Sequence, residues 1–261
     1  MTNLDEAYAN APFIPDADAF PSRWAAEAER FRAEAKGRLD VRYGPSPRQQ
    51  FDLFEPRKAP AGTLIFVHGG YWRAFDNKSW SHLAAGPLAN GWSVAMPAYD
   101  LCPDVSIATI TQQIAAAVKK VASETEGPIA LAGHSAGGHL VARMLAPGML
   151  HQGVVSRLSH AMPISPLSDL EPLIRTEMNV LFGMDAAMAE AESPLAQPKP
   201  DVPVTVWVGA KERPAFLDQA MWLAAHWSCD EIIAPGKHHF DVIDPLADPE
   251  SYMVKRLTTI G

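Results

Sequence analysis

Short apolar runs alternate with segments of helical periodicity along most of the chain. Eight segments have the length and composition of strands, and they lie at residues 39–43, 50–54, 63–67, 93–96, 128–132, 160–164, 204–208 and 231–233. The first two alternate and are separated by Gly-Pro-Ser-Pro, so we predict an antiparallel pair. Helical spacing predicts helices around residues 78–90, 107–121, 214–227 and 249–259. Alternating strands and helices imply an α/β fold, with a mostly parallel sheet covered on both faces.

Two segments depart from this alternation. Residues 1–37 form a polar, Pro-containing preamble with one helical pattern around Trp24, Ala28 and Phe31. Residues 166–200 insert Met-rich and Pro-rich helical pieces between two strands. Long insertions often carry function, so this one is a candidate lid or pocket wall, and the alternative is a plain surface excursion. We predict a single domain over residues 1–261.

Composition limits the classes of partner. Hydrophobic residues make up 48% of the chain and charged residues 20%, which is typical of a globular protein. A formal charge of −8 argues against nucleic acid, and no apolar run has the length of a membrane span. The acidic start lacks a signal-peptide pattern, and Cys102 and Cys229 make no disulfide framework, so we expect a cytoplasmic protein. The expected partner is a small-molecule substrate; the oligomeric state stays open, a homodimer included.

The heptapeptide Gly-His-Ser-Ala-Gly-Gly-His, residues 133–139, lies between a predicted strand and a helical pattern. Ser135 therefore falls on a strand-to-helix turn in the G-x-S-x-G pattern of a nucleophile elbow. In such a turn the serine is held on a strained backbone, and small neighbours let helix and strand pack closely. The alternative is a glycine-rich turn without chemistry, and partners for Ser135 decide between the two.

A serine nucleophile needs a base and an acid that orients the base. In an α/β-hydrolase these follow in the order serine, acid, histidine, each after a strand. Glu212 follows the strand at 204–208, and His239 follows the strand at 231–233. The other acids fit less well: Asp218 lies a turn into a helix and should face solvent, and Asp241 follows the histidine too closely. The neighbouring His238 remains an alternative base.

His-Gly-Gly-Tyr-Trp, residues 68–72, directly follows the strand at 63–67. Acyl transfer needs donors for a tetrahedral oxyanion, and glycines let backbone amides face the serine. The oxyanion-hole candidates are the amides of Gly69, Gly70, Tyr71 and Ala136. Trp72, Phe75 and Trp80 could offer aromatic surface to a substrate, although Phe75 and Trp80 could equally be core residues. No H-E-x-x-H or C-x-x-C pattern is present, so we expect no metal and no cofactor.

Several of these motifs together resemble the arylformamidase family of α/β-hydrolases, also called kynurenine formamidases. The resemblance is carried by H-G-G-Y-W, A-Y-D-L-C-P (98–103), G-H-S-A-G-G-H, the segments 165–179 and 209–219, and H-H-F-D (238–241). It implies Ser135 as nucleophile, His239 as base and Glu212 as acid, a position usually held by aspartate in the family. It also implies hydrolysis of N-formylkynurenine. A carboxylester or thioester hydrolase and a non-catalytic binding module are the alternatives.

Overall fold

One sheet runs through the protein, whose computed structural model describes residues 3–259. Its strands are β1 Gly37–Arg42, β2 Gln50–Phe54, β3 Thr63–Val67, β4 Ser93–Pro97, β5 Ile129–His134, β6 Leu158–Ile164, β7 Thr205–Gly209 and β8 Asp230–Ala234. They are ordered β1-β2-β4-β3-β5-β6-β7-β8. Strand β2 is antiparallel to β1 and β4, and all other neighbours are parallel. The α/β fold and the antiparallel first pair are therefore confirmed.

The α-helices range from single turns to five turns. They are α1 Leu4–Ala7, α2 Phe20–Glu34, α3 Ala85–Ala89, α4 Ile107–Glu124, α5 Ala136–Met144, α6 Gln152–Val155, α7 Glu171–Ile174, α8 Asn179–Phe182, α9 Ala186–Glu192, α10 Pro214–Trp227 and α11 Tyr252–Thr258. Within residues 3–259, none of these helices has the length and apolar content needed to cross a membrane.

Strand β3 shows how the two faces of the sheet are covered. Its five residues are all buried, and successive side chains point to opposite faces. Ile65 and Val67 belong to a core that also contains apolar residues of α4, α5 and α10. Leu64 and Phe66 belong to a second core, together with residues of α2 and α11. Burial on both faces explains why this strand reads as a continuous apolar run.

Two predicted helices are shorter than expected. In place of a helix over 78–90, a 3-10 turn at Ser81–Ala84 leads into α3 at Ala85–Ala89. Pro87 explains the difference, because it has no amide to donate to the carbonyl four residues before it. The last helix begins at Tyr252 rather than near 249. Ser251 caps it, because its side chain accepts from the amide of Val254 at 3.1 Å.

The sheet order places a crevice at the carboxyl ends of β3 and β5. In the sheet, β3 lies between β4 and β5. The chain passes from β3 to its neighbour β4 on one side and returns as β5 on the other side. Ligands of open α/β sheets bind outside the strand ends at such a switch point. Val67 pairs with Gly133 at the ends of these two strands. The loop that starts at His68 and the turn at Ser135 are therefore neighbours.

Candidate active site

Ser135 lies on a strained turn between β5 and α5. Its backbone has φ 56° and ψ −117°, a conformation that residues with a side chain rarely adopt. The Ser135 amide donates to the carbonyl of Ile164 at 2.8 Å. A Cβ on Gly137 would lie 2.0 Å from the carbonyl oxygen of Val67, so only glycine lets α5 approach β3 this closely. This close approach is the physical reason for the second glycine of the motif.

The His68–Trp72 loop passes directly beside Ser135. A Cβ on Gly69 would lie 3.1 Å from the Cβ of Ser135 and 2.8 Å from the carbonyl oxygen of His134. The His68 ring stacks on Tyr99 with 4.3 Å between centroids, and the Tyr99 hydroxyl donates to the His68 carbonyl at 2.9 Å. Burial lowers the pKa of His68 to about 4, so its ring is neutral at pH 7. These contacts fix the start of the loop.

The next residues of this loop carry the backbone amides predicted to bind an oxyanion. Gly70, Tyr71 and Trp72 all have positive φ, at 108°, 49° and 54°. Across residues 3–259, no protein acceptor takes a hydrogen bond from the amides of Gly70 and Tyr71. Ala136 begins α5, where an amide has no acceptor within its helix. Free amides beside a buried serine are what an oxyanion hole requires.

Glu212 and His239 form a buried pair. Their atoms Oε2 and Nδ1 lie 2.6 Å apart, and the Glu212 side chain is fully buried. The other carboxylate oxygen, Oε1, accepts from the Ser165 hydroxyl at 2.5 Å and from the Gly209 amide at 2.8 Å. Both carboxylate oxygens are thus held, and Nδ1 of His239 is fixed toward the acid. This leaves Nε2 of His239 as the nitrogen available to a substrate or a serine.

Two rings flank the imidazole of His239. The Phe216 ring lies 4.4 Å from it and the His134 ring 4.6 Å, measured between centroids. Burial, and then the neighbouring His239, lower the pKa of His134 well below its usual value. A neutral His134 can therefore pack against His239 without charge repulsion.

The alternative base, His238, and the alternative acids, Asp218 and Asp241, make no hydrogen bond to His239 in the part of the chain that the structure describes. Nδ1 of His238 accepts from the Phe240 amide at 3.1 Å, and its ring packs against Phe20. Asp241 accepts from the backbone amide of His238 at 2.7 Å. Asp218 is exposed on α10, as its position in the helix predicts. These contacts give His238 and Asp241 roles in shaping the turn rather than in orienting His239.

Ser135 and His239 line one cavity of about 630 Å³. Phe75 and Trp80, predicted as substrate contacts, also line it. Trp72 does not: its ring is fully buried against His139 and Phe182, at 5.0 and 5.6 Å. The left-handed backbone at Tyr71 and Trp72 turns the indole into the core, so the prediction of Trp72 as a substrate contact was wrong.

Part of the cavity wall was missed by the sequence analysis. Tyr8, Asn10 and Trp24 belong to the segment interpreted as a preamble, yet they line the cavity. Trp24 had a weak signal, since it lies on the apolar stripe of a predicted helix. The insertion 166–200 contributes Glu177, Met178 and Leu181. Ser165 was also missed, although it directly follows β6 as a site residue of this architecture would.

Three comparisons place the chain among known proteins. A family model described as the α/β hydrolase fold matches residues 64–225. The kynurenine formamidase of Salmo salar is 27% identical over 88% of this chain and 83% of its own, and that of Drosophila melanogaster is 29% identical over 84% and 80%. The crystal structure of a provisionally assigned thioesterase from Silicibacter sp. TM1040 is 57% identical, with a TM-score of 0.97 over 99% of this chain and 100% of its own. Because the family model covers more than half of the chain, the protein belongs to the α/β-hydrolase fold family, and it is a hydrolase that resembles the arylformamidases.

Proposed function

We propose that the protein is a serine hydrolase that cleaves an aryl formamide such as N-formylkynurenine, with Ser135 as nucleophile, His239 as base and Glu212 as acid. The observation that carries the proposal is the 2.6 Å contact of His239 with Glu212, buried beside the cavity that Ser135 lines. The kynurenine formamidases, which match over about four-fifths of their length, support the substrate class.

The first half of the reaction forms an acyl-enzyme. His239 takes the hydroxyl proton of Ser135 through Nε2, and the serine oxygen attacks the formyl carbon. Glu212 keeps the proton on Nδ1 and stabilises the imidazolium that forms. The amides of Gly69, Gly70, Tyr71 and Ala136 are the proposed donors to the oxyanion. When the carbon–nitrogen bond breaks, the imidazolium gives its proton to the departing aniline nitrogen.

The second half releases formate. A water molecule takes the place of the amine, and His239 removes its proton as the oxygen attacks the formyl ester. The tetrahedral intermediate collapses, the serine oxygen leaves, and the proton on His239 returns to it. A formyl group has no side chain to bind, so the leaving group must supply the binding free energy that distinguishes substrates.

A second candidate uses the same residues on a carboxylester or thioester. The 57% identity to a provisionally assigned thioesterase over almost the whole chain favours it. The chemistry differs only in the leaving atom, because an alcohol or thiol departs in place of an aniline.

The test is parallel turnover of N-formylkynurenine, phenyl acetate and an acetyl thioester by the purified protein. A formamidase should have a higher kcat/KM for the formamide than for either acetyl substrate. If an acetyl substrate is decisively better, the reaction is ester or thioester hydrolysis. Ser135→Ala should abolish turnover of all three, and an organophosphonate should label Ser135 alone. Label on another residue, or full activity in the variant, would refute the nucleophile.

A further inference from the structure

Four aromatic side chains form one wall of the cavity. Trp24 comes from α2, Phe75 and Trp80 follow the His68–Trp72 loop, and Phe240 directly follows His239. The Trp24 ring lies 5.0 Å from Trp80, 5.5 Å from Phe240 and 6.1 Å from Phe75. Phe75 and Trp80 are themselves 4.8 Å apart. Trp24 is therefore the ring that all three others contact.

Helix α2 holds Trp24 in this position. Arg32, two turns further along, donates to the Ser81 hydroxyl at 2.8 Å, which ties the helix to the turn that follows Trp80. Phe20, at the start of the helix, packs against Phe240 at 5.5 Å and against Trp24 itself at 5.5 Å. Trp24 is only 3% exposed. Both ends of the helix are thus anchored around the indole.

Such a wall suits a planar ring. Its members meet edge-on or tilted, the arrangements that aromatic rings prefer, and all four line the cavity. The cavity of about 630 Å³ lies in the range of small-molecule sites, so it has room for one aryl group with a substituent. Charged residues that line it, Asp5, Arg73 and Glu177, are not members of this wall.

We propose that Trp24 is a specificity-determining residue, and that with Phe75, Trp80 and Phe240 it forms a subsite for the aromatic ring of the leaving group. The proposal rests on the proposed function, in which the small acyl group leaves recognition to the amine or alcohol side. The part of the chain before β1 is therefore a component of the substrate site. Trp24 would contribute ring contact and not chemistry. Its loss should therefore lower the turnover of aryl substrates and leave that of alkyl substrates almost unchanged.

The test compares Trp24→Leu with Phe31→Leu, a matched control on the same helix. Phe31 packs against Phe54 and does not line the cavity. The probe is 2-aminoacetophenone, an aryl ketone that the enzyme cannot hydrolyse, and its binding is measured by calorimetry. Losing one ring contact should weaken binding about tenfold in Trp24→Leu and leave Phe31→Leu unchanged. The kcat/KM for phenyl acetate should fall similarly, and that for ethyl acetate less than about twofold.

Retained binding of the ketone by folded Trp24→Leu would overturn the subsite, as would an equal loss in Phe31→Leu. If Trp24→Leu does not fold, Trp24→Phe decides, with a loss of about threefold expected from the smaller ring and no change overturning the proposal. Ring binding does not require turnover, so the two proposals fail separately. If Trp24→Leu loses binding of the ketone while Ser135→Ala remains active, the proposed reaction is rejected and the subsite is kept.

Discussion

The hydroxyl of Tyr71 donates a hydrogen bond of 2.6 Å to the backbone carbonyl oxygen of Tyr8. The bond joins the loop proposed to bind the oxyanion to the N-terminal segment. Tyr8 is held in turn, since its hydroxyl accepts from Nε2 of Gln219 at 2.9 Å. Burial raises the pKa of Tyr71 well above its usual value, so the hydroxyl stays a donor throughout the physiological range. The side chain of Tyr71 therefore anchors this loop to the N-terminal segment.

We predict that Tyr71→Phe lowers kcat with little change in KM. Without the hydroxyl, the left-handed backbone at residue 71 loses its anchor, and the amide proposed for the oxyanion hole is less well placed. A decrease of about tenfold is expected, below the 10²–10³ that follows removal of a donor itself. The unpaired Tyr8 carbonyl should also cost about 1–3 kcal/mol of the free energy of unfolding. Steady-state kinetics and denaturant unfolding measure the two effects.

Tyr43→Phe is the control for this prediction. The Tyr43 hydroxyl donates to the carbonyl of Ala98 at 2.5 Å, the same kind of bond in a part of the protein that does not line the cavity. Its loss should lower stability to a similar extent and leave kcat unchanged. If both variants retain full kcat, the Tyr71 bond contributes to stability only.

Local patterns were sufficient to predict most of the sheet and the contact between Glu212 and His239. Strand β3 was predicted at its observed bounds, because burial on both faces makes its whole length apolar. Helix α10 was also predicted close to its bounds from helical spacing, and in the structure Pro214 occupies its first turn. Glu212 and His239 could be paired in advance because each lies in the loop that follows a strand, and parallel strands bring their carboxyl ends to one edge.

Contacts between distant segments left no such pattern. Tyr8 and Trp24 reach the cavity through packing with residues far along the chain, such as Phe216 for Tyr8 and Phe240 for Trp24. The prediction that Trp72 contacts substrate failed for a related reason. The five residues of the motif do not reveal that Tyr71 and Trp72 both take positive φ, and this backbone conformation decides on which side the indole lies. The role of residues 166–200 as a lid stays a prediction.

Glu212→Gln tests the proposed acid. The amide keeps the size of the side chain, but it loses the charge that stabilises the imidazolium and can favour the wrong tautomer of His239. Turnover should fall on the order of 10³–10⁴-fold, as for the equivalent change in a serine protease. Asp218→Asn, an exposed site on α10, is the control and should stay within about twofold of the original kcat. The opposite ranking in steady-state assays would assign the acid to Asp218.

Ser165→Ala tests whether Ser165 positions Glu212, the proposed acid. The hydroxyl donates to Oε1 of the acid at 2.5 Å, so its loss should let the carboxylate shift away from His239. Hydrogen bonds to charged groups contribute about 1.5–3 kcal/mol, so kcat should fall at least about tenfold while KM stays nearly constant. Ser168→Ala is the control, because that buried hydroxyl donates to the Gln219 carbonyl at 2.6 Å and not to the acid. A fall in kcat that is equal in both variants would reduce Ser165 to a structural role.

His139 should make the protein less stable in acid. Burial lowers its pKa to about 4, against about 6.5 in an unfolded chain. Its Nε2 lies 2.8 Å from the Glu192 carbonyl, which can only accept, so the neutral ring carries its proton there. The other nitrogen, Nδ1, has no partner among residues 3–259, and protonation would bury a donor without an acceptor. Between pH 6.5 and pH 4 the unfolded chain binds the extra proton and the folded protein does not, so the free energy of unfolding must fall as the pH falls. The variant His139→Gln can keep the bond to Glu192 and cannot titrate. On going from pH 7.5 to pH 4, its free energy of unfolding should therefore fall by up to about 3 kcal/mol less than that of the original protein.

Denaturant unfolding at both pH values measures this difference, with the pH 7.5 value correcting for any change in packing. Equal losses in the two proteins would show that folding does not lower the pKa of His139.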